Sequence, residues 1–142
     1  MKFSLKRLIP LAGLVLGILI VLIPFVISPV CTKLLELKSG AFTHMACHWT
    51  GTAEVIFGIF LTAVNLYLLI FGFSDKSGRF AGIIQVIIAA AGFAVIDSKI
   101  MGICRNPMMA CNTTVKVLFP FLLLSALSGI VLIILSFRKE KP

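Results

Sequence analysis

The charges in this chain stand so far apart that the hydrocarbon of a membrane is the natural solvent for what lies between them. Between Arg7 and Lys33 there are 25 uncharged residues, and between Glu54 and Asp75 there are 20. Between Arg79 and Asp97 there are 17, and between Lys116 and Arg138 there are 21. A helix rises about 1.5 Å per residue, so a core about 30 Å thick needs about 20 residues, with a working range of roughly 17–25. All four runs meet that requirement; the third, the shortest, needs local thinning of the bilayer. The runs are continuously apolar, whereas barrel strands alternate apolar with polar over about ten residues. The expected fold class is therefore all-α: a polytopic, four-transmembrane-helix antiparallel bundle.

The spacing predicts a single membrane domain over 1–142. Helix 1 is expected over about 8–30, an outer segment over 31–49, helix 2 over about 50–73 and an inner turn over 74–79. Helix 3 follows over about 80–98, a second outer segment over 99–112, and helix 4 over about 113–137. The first run is expected to be retained rather than cleaved as a signal peptide. It exceeds the usual apolar region of about 7–15 residues, and Val30 before Cys31 spoils a small-residue cleavage site. Lys2, Lys6, Arg7, Lys76, Arg79, Arg138, Lys139 and Lys141 fall on one side; Lys33, Lys38, Lys99, Arg105 and Lys116 fall on the other. Eight against five places both termini in the cytoplasm. The net charge of +8 then reads as a topology signal and an attraction to anionic headgroups. Basic residues are not interleaved with aromatics as in a nucleic-acid groove, so no nucleic-acid partner is expected.

Within lipid, helices associate through close packing at small residues and through hydrogen bonds. Gly13 and Gly17 make a GxxxG step on helix 1, and Ser125 and Gly129 make a similar step on helix 4. Three polar side chains interrupt the runs: Glu54, Asn65 and Gln85. The amides of Asn65 and Gln85 lie near mid-membrane and are expected to bond to each other, since an unpaired amide there is costly. Glu54 is expected in the first turn of helix 2, where the helix dipole favours an anion; a role as ion ligand is the competing reading. Pro24 and Pro120 predict kinks.

The chemistry concentrates in the two outer segments. His44-Met-Ala-Cys-His-Trp-Thr-Gly51 is echoed by Met108-Met-Ala-Cys-Asn-Thr-Thr-Val115. Aligning them matches Met45 to Met109, Ala46 to Ala110, Cys47 to Cys111 and Thr50 to Thr114, which suggests a parallel repeat of two hairpins. Three readings compete for the four cysteines. Cys31 with Cys47 and Cys104 with Cys111 can form two structural disulfides if that side is oxidising, although four cysteines permit three connectivities. Met45, Cys47, His48, Met108, Met109 and Cys111 can form a soft-metal site for copper or zinc, or a haem site, although no known metal spacing is present. Finally, the cysteines can exchange disulfides and pass electrons to a quinone. That layout resembles the disulfide-bond-formation type of four-helix membrane oxidoreductase but lacks its CxxC. No catalytic dyad and no nucleotide motif stand out, so no catalytic residue is assigned.

Taken together, Met45-Ala-Cys-His-Trp-Thr50, Glu54, Gly58, Cys104 and Met109-Ala-Cys-Asn-Thr-Thr114 resemble the bacterial domain-of-unknown-function family 4418, small four-helix membrane proteins of this length. The resemblance covers most of the chain. It implies a multi-pass protein of the bacterial cytoplasmic (inner) membrane and an ABC-transporter permease or other membrane subunit as partner, and it brings no established activity. The expected role is an accessory or interaction subunit with a cysteine- and methionine-rich cap, embedded in the lipid bilayer and compatible with a homo-oligomer.

Overall fold

The structure, a computed structural model, describes residues 5–31, 34–97 and 109–138. Among these residues four helices are long and apolar enough to cross a membrane, as the charge spacing requires of a multi-pass membrane protein. Helix α1 (Leu5–Leu22) continues into a π-helical turn (Ile23–Ile27), followed by a short hairpin of β1 (Leu34–Glu36) and β2 (Phe42–His44). Then come α2 (Ala46–Phe71), α3 (Asp75–Ile96) and α4 (Ala110–Arg138). The helices pack chiefly as two pairs, α1 on α2 and α3 on α4, with lighter contacts closing the bundle.

Helix 1, expected to run to about 30, ends with the π-helical turn at Ile27; three further boundaries differ from expectation, for one physical reason. Hydropathy marks the hydrocarbon, whereas helices run on through the headgroup zone. Thus α2 begins at Ala46 and α4 at Ala110, which draws Cys47 and Cys111 into helical first turns. The turn expected over 74–79 shrinks to Gly72–Ser74. Gly72 ends α2 at φ 82°, and Ser74 and Ser77 form a reciprocal capping box that starts α3 at Asp75. An acidic residue in that first turn also suits the dipole. The hairpin within the first connecting segment was not foreseen.

The small-residue steps are where the backbones meet. A Cβ on Gly17 would lie 2.8 Å from the Thr62 nitrogen, and one on Gly82 would lie 2.7 Å from the Gly129 carbonyl oxygen. The amides of α2 and α3 also meet as expected. Asn65 Nδ2 donates to Gln85 Oε1 (3.3 Å) and to the Leu61 carbonyl (2.8 Å). Gln85 Nε2 in turn donates to the Ser125 carbonyl (3.1 Å) and to the Ser128 hydroxyl. Asn65 rests against Gly13, so this polar layer touches all four helices.

Replacing Gln85 by leucine leaves the fully buried Asn65 short of its partner, and is expected to cost about 1–3 kcal/mol. The double variant Asn65→Leu/Gln85→Leu should cost less than the sum of the two single changes, because it removes both ends of the bond. Thermal unfolding in detergent reads this coupling directly; strict additivity of the three variants would count against the bond.

Candidate metal centre

The geometry at one end of the bundle begins with the end of α1. Pro24 has no N–H to give a helical ladder, and here its local effect is the π-helical turn. The Ser28 and Val30 amides then bond back to the Ile23 and Pro24 carbonyls at 2.9 and 2.8 Å. This folds the chain over the bundle end instead of away from it. Thr114, in the first turns of α4, secures that fold: its hydroxyl donates to the Ser28 carbonyl at 2.7 Å. Val30 is buried and packs close to Gly51 of α2. Cys31 is thereby placed over the entrances of α2 and α4.

Cys47 and Cys111 occupy the second position of α2 and α4, and both are buried. Their Sγ atoms and that of half-buried Cys31 all lie within 4.8 Å of one another. Zinc–sulfur bonds of about 2.3 Å set sulfurs about 3.8 Å apart in a tetrahedron, so small side-chain adjustments bring the three onto one ion. Each helix N-terminus also directs roughly half a positive charge toward this end of the bundle.

Two turns along α2 from Cys47 lies Glu54, with no exposed surface. Neither of its carboxyl oxygens has a hydrogen-bond partner among the described residues. A gap of about 10 Å³ is bordered by Glu54, Cys47 and Cys111 together with apolar side chains such as Val30 and Leu118. Opposite, α3 presents Gly92, where a Cβ would lie 3.2 Å from Glu54 Oε2. Farther along α2 the bundle is filled by Ile20, Ile23, Leu61, Leu118 and Leu122. Leu61 stands between Glu54 and Asn65, so an apolar plug separates the carboxyl from the amide layer.

The structure regroups the sequence candidates. Cys31, Cys47 and Cys111 come together. Cys104, the expected mate of Cys111, and Met108 lie outside the described residues. Met45 and Met109 are half-buried immediately before α2 and α4. His48 is not part of the sulfur group. It stacks on His44 (centroids 4.2 Å apart, planes at 20°) and meets Phe25 and Trp49 edge-on at 5.9 Å. Glu54 lies in the third turn of α2 rather than the first, so the dipole no longer accounts for it. Thr50 and Thr114 went unrecognised as site residues, yet both already stood among the four positions at which the two Met-Ala-Cys segments align.

The same alignment is visible in the burial of the two helices. On α2 the buried positions include 47, 50, 54, 58, 61, 65 and 68; on α4 they include 111, 114, 118, 122, 125, 129 and 132. Each of these pairs differs by 64, so both helices turn the same face inward from their cysteine onward. No curated protein and no solved structure matches the chain. The family described as Domain of unknown function (DUF4418) matches residues 13–138, a stretch that reaches into all four helices and holds all four cysteines. The chain belongs to that family.

Proposed function

We propose that this protein is a non-enzymatic subunit of the bacterial cytoplasmic membrane whose extracytoplasmic end holds a thiolate centre for one zinc-class cation. The convergence of the Cys31, Cys47 and Cys111 sulfurs within 4.8 Å carries the reading. Charge favours a divalent ion. Three thiolates and Zn²⁺ sum to −1, which the two helix N-termini, at roughly +0.5 each, offset. Three thiolates and Cu⁺ sum to −2 and leave one charge uncompensated in a buried site. A gap of about 10 Å³ offers a haem no room among these side chains.

The plug of Ile20, Leu61 and Leu122 favours a centre that holds its ion over one that conducts it. A holding site fits an accessory role in a larger membrane system, an ABC-transporter permease being the partner class the family resemblance brings. The Lys and Arg distribution supports both termini in the cytoplasm and an antiparallel bundle, with the cysteines outside.

A second reading has its own support: with three sulfurs so close, any two can pair while the third remains within reach for disulfide exchange. Purified reduced protein, equilibrated with Zn²⁺ or Cu⁺ without oxygen, separates the two. One zinc per chain, with three cysteines protected from alkylation as counted by intact mass, is the expected result. Cysteines that take no metal and change oxidation state with an added quinone would establish exchange instead. Impermeant thiol reagents on intact cells test the orientation, and labelling only after permeabilisation would reverse it.

A further inference from the structure

The two helix pairs are firm within themselves and more loosely joined to each other. The tightest backbone approaches at the described glycines, Gly17 to Thr62, Gly58 to Val21 and Gly82 to Gly129, all lie within a pair. Between the pairs run two seams that open sideways. A groove of about 590 Å³ lies between α1 and α4 at Leu11, Val15, Leu124 and Val131. Another of about 380 Å³ lies between α2 and α3 at Ala63, Tyr67, Phe80 and Ile84. Lipid gives apolar side chains little reason to close such seams. Glu54 weakens the joint further: it is fully buried on α2, its carboxyl oxygens have no partner among the described residues, and it lies against Gly92 of α3. A polar group buried without a partner favours whatever arrangement returns it to water.

The sulfur triangle spans that joint. Cys31 and Cys47 belong to the α1–α2 pair, and Cys111 belongs to the α3–α4 pair. We infer that the ion is a clamp between the two pairs: bound, it closes their cysteine end and keeps Glu54 buried; released, it lets that end part and Glu54 reach water. This rests on the thiolate reading and adds to it what ion binding does to the protein. The bond from Thr114 to the Ser28 carbonyl crosses the joint beside the sulfurs, and the bond from Asn65 to Gln85 crosses it deeper in the bundle. Asn65 is also tied to the Leu61 carbonyl, and Gln85 to the Ser125 carbonyl, so the amides form the fixed point about which the cysteine end opens. An ion whose ligands come from both pairs prefers the closed arrangement, which is the differential affinity a switch requires. By the same linkage, whatever holds the pairs together tightens ion binding, and whatever parts them releases the ion. An accessory subunit built this way reports the ion as a change in the spacing of its two halves.

A full-length chain with a protease site inserted after Gly72, an exposed position with open space beside it, tests the clamp. The chain is folded in detergent, loaded with zinc or treated with chelator, and only then cut. A tag at the C-terminus retains the α3–α4 pair, and the share of the α1–α2 pair held with it over a dilution series gives their association constant. An ion bound only by the joined pairs raises that constant by one plus the ratio of free zinc to its Kd, so zinc at about 100 times Kd should raise it about 100-fold. Cys111→Ser should remove the zinc effect. Glu54→Leu should raise the constant in chelator about tenfold or more, because the unpartnered carboxyl is gone. Zinc uptake with equal association in zinc and chelator would overturn the clamp and leave the thiolate reading standing. A zinc effect that survives Cys111→Ser, or a Glu54→Leu variant that separates in chelator as readily as wild type, would overturn the clamp as well. No zinc uptake by the uncut wild type would remove the thiolate reading and the inference together.

Discussion

Serine in place of Cys31, Cys47 or Cys111 is expected to weaken zinc binding by on the order of 10²-fold or more in each case. A structural zinc site of four ligands is worth about 10–16 kcal/mol, so one ligand carries roughly 2.5–4 kcal/mol, and each 1.4 kcal/mol is about tenfold. A serine oxygen recovers part of that at most. The pattern matters more than the size. Two disulfides formed by neighbours in sequence would make Cys31 and Cys47 behave as one pair and Cys104 and Cys111 as another. Among the described residues the triangle instead joins Cys111 to Cys31 and Cys47, because the α1 end is folded over the α2 and α4 entrances. Chelator competition on the four single variants reads this pattern. Equal losses at Cys104 and Cys111, with Cys31 and Cys47 unaffected, would be incompatible with the triangle.

The four spans were legible because lipid tolerates so few charges that their spacing alone marks the helices. The amide pair was legible for the same reason: Asn65 and Gln85 had few other partners at that depth. Helix starts were not, because Ala46-Cys-His-Trp and Asp75-Lys-Ser-Gly lie where hydropathy carries no signal and capping decides. The triangle was hidden more deeply. Proximity in sequence matches Cys111 with Cys104, and nothing along the chain announces that Thr114 bonds to Ser28, 86 residues away. One signal was present and underused: Cys47 and Thr50 recur as Cys111 and Thr114 at the same helical spacing. Two such faces turned inward must meet at the bundle axis, which already places two of the three sulfurs together. Cys31 needed the π-helical turn at Pro24, a feature that only tertiary contacts define.

Alanine at Gly58 is expected to destabilise the bundle even though alanine is the better helix former. On propensity alone the change should gain about 1 kcal/mol. Its Cβ, however, would lie 2.7 Å from Val21 Cγ2, 2.9 Å from the Val21 nitrogen and 3.0 Å from the Gly17 carbonyl oxygen. Two of those three atoms are backbone, so α1 itself must move away from α2. Overpacking of this kind costs typically 1–3 kcal/mol, which outweighs the propensity gain; leucine at the same position should cost more. The displacement also has a distant consequence. Gly58 lies 11 residues from Cys47, about 16 Å along the helix, yet Cys31 follows the π-helical turn that ends α1, and the distance of α1 from α2 fixes one side of the sulfur triangle. Gly58→Ala should therefore lower both the unfolding temperature in detergent and the zinc affinity. Ile59→Ala, on the lipid-facing side of the same turn and 54% exposed, should change neither appreciably. Equal behaviour of the two variants would mean that close approach of α1 and α2 does not hold the centre together.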